Sequence, residues 1–252
     1  IDHVSTCKSP QQMFGSLSKT YYAEKIKMDP SKIFTVSIMP CTAKKFEARR
    51  EEMMTDGIQD VDAVLTTREL ARLIKSAGLD FENLPEEDFD EPFGLTTGAA
   101  VIFGATGGVM EAALRTVYEV LTKETLDDIE FHDVRGMEGI KDSKVMVGDL
   151  EVNIAVAHGL KNARKLIEEV KVGKSPYHFI EIMSCIGGCI GGGGQPFTRD
   201  PEIKEKRLSM NIRQSHKNPS IAKIYEEFLE HPNSDKAHHL LHTQYKPRQI
   251  KK

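Results

Sequence analysis

Two apolar runs in this 252-residue chain end in the same way. Lys32 to Met39 and Tyr177 to Met183 are rich in β-branched and aromatic residues, which predicts two buried strands. Each stops at Met-x-Cys, as Met39-Pro40-Cys41 and as Met183-Ser184-Cys185. A thiol therefore follows directly on the strand's C-terminal end, the edge where open parallel α/β sheets bind ligands. Two readings fit this repetition: related lobes presenting thiols to one shared cleft, or two ordinary buried strands that happen to end alike.

Strands and helices alternate between these runs. Val61 to Leu65 has strand character, and Thr66-Thr67 can cap a helix over Arg68 to Ala77 that Gly78 stops. Pro85 to Pro92 is an acidic stretch expected to form a solvated loop. Gly104 to Gly108 opens a helical pattern over Val109 to Thr122. Val145 to Val156 predicts a hairpin turning at Gly148-Asp149, and Leu160 to Val170 an amphipathic helix. Alternation of this kind predicts an α/β fold with two lobes of mostly parallel sheet flanked by helices. The expected divisions are a first lobe over 1–125, a second over 126–197, and a mainly helical wrapping tail over 198–252.

Composition narrows the function. With 39% hydrophobic residues the chain can bury a core, and a net charge of −4 gives no reason to expect nucleic acid as a partner. No apolar run is long enough to span a bilayer. Ile1-Asp2-His3-Val4 lacks a signal-peptide pattern, so a cytoplasmic location is expected. The chain also lacks an initiator Met, and its start reads as a cut end or a processed terminus. In a reducing compartment its four cysteines, Cys7, Cys41, Cys185 and Cys189, point to metal or reactive thiols rather than disulfides.

The stretch from Cys185 to Pro196 has two thiols four residues apart among six glycines. In a helix interior each glycine would cost about 1 kcal/mol relative to alanine. In a loop, glycines let backbone approach a bulky object and aim N–H groups at it. Thiolates suit soft metals, and N–H donors to sulfur tune iron–sulfur clusters. A phosphate loop would end in Gly-Lys-Ser/Thr and leaves the cysteines unexplained, and a zinc site favours compact Cys-x-x-Cys pairs. Iron–sulfur chemistry fits best. In the other motif, Met39 to Glu47, Pro40 ends the strand and sets the angle of Cys41. Lys44 lies one helical turn beyond the thiol, able to set a cation beside a metal-bound anion. Taken alone, Lys44, Lys45 and Glu47 also read as ordinary helix-surface residues.

Met-Pro-Cys-x-x-Lys-x-x-Glu at 39–47 and the run from Phe179 to Pro196 resemble the second and third signature motifs of FeFe hydrogenases. Further likeness lies in Ser9-Pro10-Gln11-Gln12, in Ile102 to Arg115, in Ser215 to Pro219 and in Leu240 to Tyr245. The resemblance runs nearly end to end. It implies reversible reduction of protons to molecular hydrogen, with the cofactor in the cleft between the lobes. That cofactor is a 4Fe–4S cubane joined to a diiron subcluster carrying CO, cyanide and a bridging dithiolate amine. Carried over by position, Cys41, Cys185 and Cys189 ligate the cubane, with Cys189 also bridging to the diiron site. Lys44 holds one cyanide, and Ser9 and Pro10 lie near the other. Met39, Met183 and Phe103 pack on the diiron site. Gln11 shapes the cavity wall, Gln195 belongs to the retained diiron-site residues, and Ser5 sits on the proton path.

The family's first motif, Thr-Ser-Cys-Cys-Pro, does not occur in this sequence. It would supply the fourth cubane thiolate and the proton-shuttle cysteine, so an upstream portion or partner chain is expected to provide both. The proton path's two glutamates are expected there too. Electrons are expected to come from ferredoxin or an electron-relay iron–sulfur domain. Cys7 falls where the family places no ligand and is expected to be a free, packed thiol. Thr198 to Arg213 is shorter than the family's usual connector. The histidines, including His216, His238, His239 and His242 in the tail, carry no metal pattern. A second class remains open at this stage: a hydrogenase-like iron–sulfur assembly or sensory protein without hydrogen turnover.

Overall fold

The computed structural model describes residues 2–96, 98–125, 132–133, 139–197 and 215–248. In chain order its helices are α1 (Pro10–Leu17), α2 (Ala23–Lys25), α3 (Ala43–Glu47), α4 (Thr67–Ser76), α5 (Gly98–Ile102), α6 (Gly108–Thr122), α7 (Leu160–Lys171), α8 (Pro219–Ile224) and α9 (Asp235–Leu241). Its strands are β1 (Val36–Met39), β2 (Met54–Thr55), β3 (Ile58–Gln59), β4 (Ala63–Thr66), β5 (His132–Asp133), β6 (Ile140–Val147), β7 (Leu150–His158) and β8 (Phe179–Met183). Parallel pairings join β1 to β4 and β7 to β8, while β5, β6 and β7 pair antiparallel. The fold is α/β, and both Met-x-Cys strands stop at their methionine. The first strand is shorter than its apolar run: Pro30–Lys32 takes a 3-10 turn capped by the Asp29 side chain, and β1 begins only at Val36.

Contacts divide the chain into two compact units, Ile1–Gly94 with Pro219–Lys252, and Leu95–Asn218. These bounds differ from the three segments expected from sequence, and packing gives the reason. Met110 and Leu114 of α6 bury against Val145, Val147, Ile154 and Val156, which holds α6 on the sheet of the second unit. The sheet's other face buries Ile140, Ala155 and Ala157 with Leu166 of α7. A strand with helices on both faces reads as a continuous apolar run, and Ile154 to Ala157 is one. In the first unit, Ile224, Leu229, Ala237, Leu240 and Leu241 of the tail pack around Tyr21. The connector over 198–214 lies outside the described residues.

Polar groups also organise the first unit. Lys8 Nζ reaches Asp60 Oδ2 at 2.9 Å with both side chains almost wholly buried. The Thr55 hydroxyl donates to Asp60 Oδ1 at 2.6 Å and accepts from Lys8 at 3.2 Å, while Ser16 Oγ lies 3.0 Å away. A charge pair withdrawn from water needs such partners. Nearby, Lys19 Nζ pairs with Asp62 at 2.7 Å, and Asp62 accepts the Thr35 N–H just before β1.

Where β4 ends, Thr66 caps α4 in a reciprocal box with Glu69. The Lys45 ammonium is the largest influence on the Glu69 carboxyl, joined by the Thr66 N–H and hydroxyl, and together they hold it at about 2. Because this lies below its ordinary 4.5, Glu69 stabilises the fold fully above that pH, progressively less as pH falls, and not at all below about 2. Two outcomes are expected from urea titrations. Thr66→Ala lowers stability by about 1 kcal/mol at neutral pH. Glu69→Gln removes part of the wild-type loss of stability between pH 4.5 and 2.

Candidate iron–sulfur site

The first thiol-bearing strand end lies in the unit formed by the chain's two ends. Met39 packs on Ala48, Val61 and Val64, which fixes the last turn of β1. Pro40 then breaks the ladder, and Cys41 stands half-buried before α3. One turn later Lys44 Nζ meets both oxygens of Glu47, at 3.0 and 2.9 Å. Ser9, which caps α1 by accepting from the Gln12 N–H, donates its hydroxyl to Glu47 Oε2 at 2.8 Å. The Gln11 amide reaches both Glu47 Oε2 and the Lys44 carbonyl at 3.4 Å.

Three of the expected site residues, Ser9, Gln11 and Lys44, thus converge on one carboxylate. Sequence reasoning left Glu47 as a possible surface residue. Its signal was the spacing: three residues after Lys44 on a helix is the same face. Pro10 is the exposed first residue of α1, where its missing N–H is harmless. Ser5 is exposed, with its hydroxyl accepting the Cys7 N–H at 3.3 Å. Cys7 is exposed rather than packed, and pairs in an isolated bridge with His242. Its carbonyl accepts the Tyr245 hydroxyl, whose pKa is pushed up by burial first and by the nearby Glu47 second.

The second strand end lies within the other unit. Met183 closes β8 half-buried, and its carbonyl accepts the Gly159 N–H at 2.8 Å where β7 gives way to α7. Cys185 and Cys189 follow, both half-buried. Between them Gly188 runs against Gly104: a Cβ built there would stand 2.5 Å from the Gly104 carbonyl oxygen. With φ at +96°, this position admits glycine on two counts. The Ile190 N–H then donates to the same Gly104 carbonyl at 2.9 Å. Phe103, half-buried, directly precedes Gly104. The half-buried Gln195 closes a turn through its N–H to the Gly192 carbonyl.

Two further residues shape this end. Glu181 is buried in mid-strand, and its carboxylate accepts the N–H groups of Gly107 and Met110, each at 2.7 Å. Burial pushes its pKa up, and N–H groups at the start of α6 oppose that rise. A charged residue within an apolar strand run was its signal in the sequence. His158 Nδ1 accepts the Gly187 N–H at 3.3 Å, a role nothing in the sequence marks.

The donor set fits an iron–sulfur group. None of the four cysteines is in a disulfide, and all three expected ligands are half-buried thiols, Cys41 and Cys185 just past strand ends and Cys189 at the start of the 3-10 turn that follows. The loop bearing two of them is held by backbone contacts that need glycine. Among the described residues no group of three His, Cys, Asp or Glu side chains stands ready to hold a metal ion.

Comparison with known proteins agrees with this reading. Residues 1–193 match the C-terminal domain of the iron-only hydrogenase large subunit, and residues 198–248 match the iron hydrogenase small subunit. The chain belongs to the iron-only hydrogenase family. It is 54% identical, over 99% of its own length and 44% of the relative's, to the NADP-reducing hydrogenase subunit HndD of Solidesulfovibrio fructosivorans. To the large subunit of the periplasmic hydrogenase of Nitratidesulfovibrio vulgaris it is 56% identical, over 78% of this chain and 47% of that one. Cytosolic iron-sulfur assembly component 3 of Rattus norvegicus matches 97% of the chain at 34% identity, over 54% of its own length. An apo FeFe-hydrogenase variant from Chlamydomonas reinhardtii superposes with a TM-score of 0.84 at 40% identity, covering 97% of this chain and 70% of that one. The chain spans about half the length of the curated relatives it matches.

Because Glu47 collects three donors, its loss costs more than the loss of any one of them. Glu47→Ala is expected to lower unfolding free energy by about 2 kcal/mol, and Ser9→Ala by about 1. A double-mutant cycle on Lys44 and Glu47 should return a coupling below about 1 kcal/mol, since both side chains keep some contact with water. Urea titrations of the single and double variants measure all three values.

Proposed function

We propose that this chain is the cluster-binding part of an FeFe hydrogenase catalytic domain, acting in the reversible reduction of protons to molecular hydrogen. The observation that carries the proposal is the Cys185–Cys189 loop, whose glycine backbone lies against the Phe103–Gly104 turn and leaves two half-buried thiols together past a strand end. Cys41, Cys185 and Cys189 are the thiolate ligands of a 4Fe–4S cubane, and the fourth comes from sequence upstream or from a partner chain. When bound, the complete cofactor, with its diiron subcluster carrying CO, cyanide and a bridging dithiolate amine, supplies the two-electron chemistry of hydrogen.

The chain's own residues bind, orient and shield. Two of the three Lys44 donors are directed at Glu47, which fixes the ammonium and leaves the third to meet a bound anion such as cyanide. The Ser9 hydroxyl is committed to Glu47 and to the α1 cap, so Ser9 and Pro10 serve as a rigid wall. On this reading Met39, Met183 and Phe103 would pack on the diiron subcluster, and Gln11 and Gln195 would contribute to holding it. Ser5 passes protons by rotation of its hydroxyl. Beside the cysteine loop, a cavity of about 680 Å³ is lined by Lys161, Lys165, His158 and Ile186. Its lysines suit an acidic electron carrier such as ferredoxin or a relay domain.

No helix among the described residues is long and apolar enough to cross a membrane. A cytoplasmic setting is the proposal, and subcellular fractionation tests it against the alternative that the periplasmic relative offers.

The assembly-protein relative, matched nearly end to end, favours a second reading: iron–sulfur cluster binding without hydrogen turnover. Infrared spectroscopy separates the two. After maturation with the hydrogenase accessory machinery, the protein together with the upstream portion or partner chain that supplies the fourth thiolate should show CO and cyanide bands and evolve hydrogen. Cys189→Ser should abolish both. Iron–sulfur absorbance without such bands in a matured sample supports the assembly reading instead. The 252-residue chain alone, with three of the four cubane thiolates, should neither show those bands nor evolve hydrogen.

A further inference from the structure

The glycine turn that carries Phe103 is held from two sides, and both holds originate on one strand. On one side lies the cysteine loop that follows β8: Ile190 N–H donates to the Gly104 carbonyl, and Gly188 packs against Gly104, Ala105 and Thr106. On the other side lies Glu181, from the middle of β8 itself.

Helix α6 begins without a cap of its own. Its N-cap is Gly107, which has no side chain to accept the first N–H groups. Glu181 does so from a distant strand, accepting Gly107 N–H on one oxygen and Met110 N–H on the other. A carboxylate there also complements the positive end of a fifteen-residue helix. A buried carboxylate is otherwise expensive, and an apolar residue could fill the strand position. The role of Glu181 therefore has to be sought in what it joins.

We infer that Glu181 is a positioning residue of the cluster site, binding the Phe103–Gly107 turn and the Cys185–Cys189 loop into one unit that opens and closes together. Two oxygens at 2.7 Å fix the far end of the turn, and the Gly104 carbonyl fixes its near end to the backbone beside Cys189. Freeing the far end loosens the near end, because only three residues separate Gly104 from Gly108. Cys189 and Phe103 then lose their fixed relation. The link to a bound cofactor rests on the hydrogenase reading, but the mechanical coupling is a property of the protein without any cluster.

Hydrogen exchange on the cluster-free chain tests it directly. In Glu181→Gln one oxygen becomes an amide NH2 that cannot accept, so the Gly107 or Met110 amide loses its partner. Exchange of that amide should rise by at least about tenfold. The deciding amide is Ile190, whose N–H donates to the Gly104 carbonyl rather than to Glu181. Its exchange should rise alongside. If Gly107 or Met110 accelerates while Ile190 is unchanged, Glu181 is a helix cap only and the inference is wrong; it is equally wrong if none of the three responds.

Should the variant fail to fold, the wild-type chain supplies the answer. In low denaturant the three amides should share one opening free energy and one denaturant dependence, and separate openings overturn the coupling. In the matured protein, completed by the upstream portion or partner chain, Glu181→Gln should shift or broaden the CO and cyanide bands. Coupled exchange without any infrared bands in wild type would refute the hydrogenase reading and leave the coupling standing.

Discussion

A place with no room for a side chain holds the cysteine loop. The backbone of Gly188 lies so close to the Gly104 carbonyl that even a methyl group would collide, in a conformation that other residues rarely adopt. This contact lets the Ile190 N–H reach the same carbonyl. Through it the loop between the two thiols is seated on the turn before α6, and that turn on the sheet. Helix, turn and cysteine loop thus share an anchorage in β8.

The two thiol-bearing strand ends are built on one plan. In each, the cysteine strand runs parallel to a neighbour that leads straight into a helix: β1 beside β4 and α4, β8 beside β7 and α7. In each, that neighbour's end is tied across, by the Lys45 ammonium on the Val64 carbonyl in one case and by the Gly159 N–H on the Met183 carbonyl in the other. Parallel strands place their carboxyl ends along one edge, so a residue just beyond that edge is held by the sheet yet open to a ligand. This serves a metal thiolate well, because the ligand needs a fixed direction and an approachable face.

Much of this was readable in the sequence, for identifiable reasons. Strand ends at Met39 and Met183, the Thr66 cap, the Gly148-Asp149 turn and the α6 and α7 patterns all rest on local propensity, and they appear where expected. Long-range matters were less legible. That α6 belongs with the sheet of β6 and β7 depends on Met110 and Leu114 finding Ile154 and Val156, which no local pattern reveals. Glu47, Glu181 and His158 act through partners between 3 and 74 residues away. A charged side chain in a strand or helix announces that it needs partners, but not which ones. Cys7 shows the opposite failure. A small apolar thiol was expected to be packed, and pairing with His242 holds it at the surface instead.

The buried pair of Lys8 and Asp60 has a consequence for how this protein can vary. Either change alone strands a charge away from water, at a penalty of about 3 to 5 kcal/mol, whereas replacing both by apolar residues of matching size can be neutral. Thr55 and Ser16, bonded into the same cluster, are drawn into any such exchange. This corner of the first unit can therefore drift only by paired substitution. Among related chains, positions 8 and 60 should change together or stay as they are.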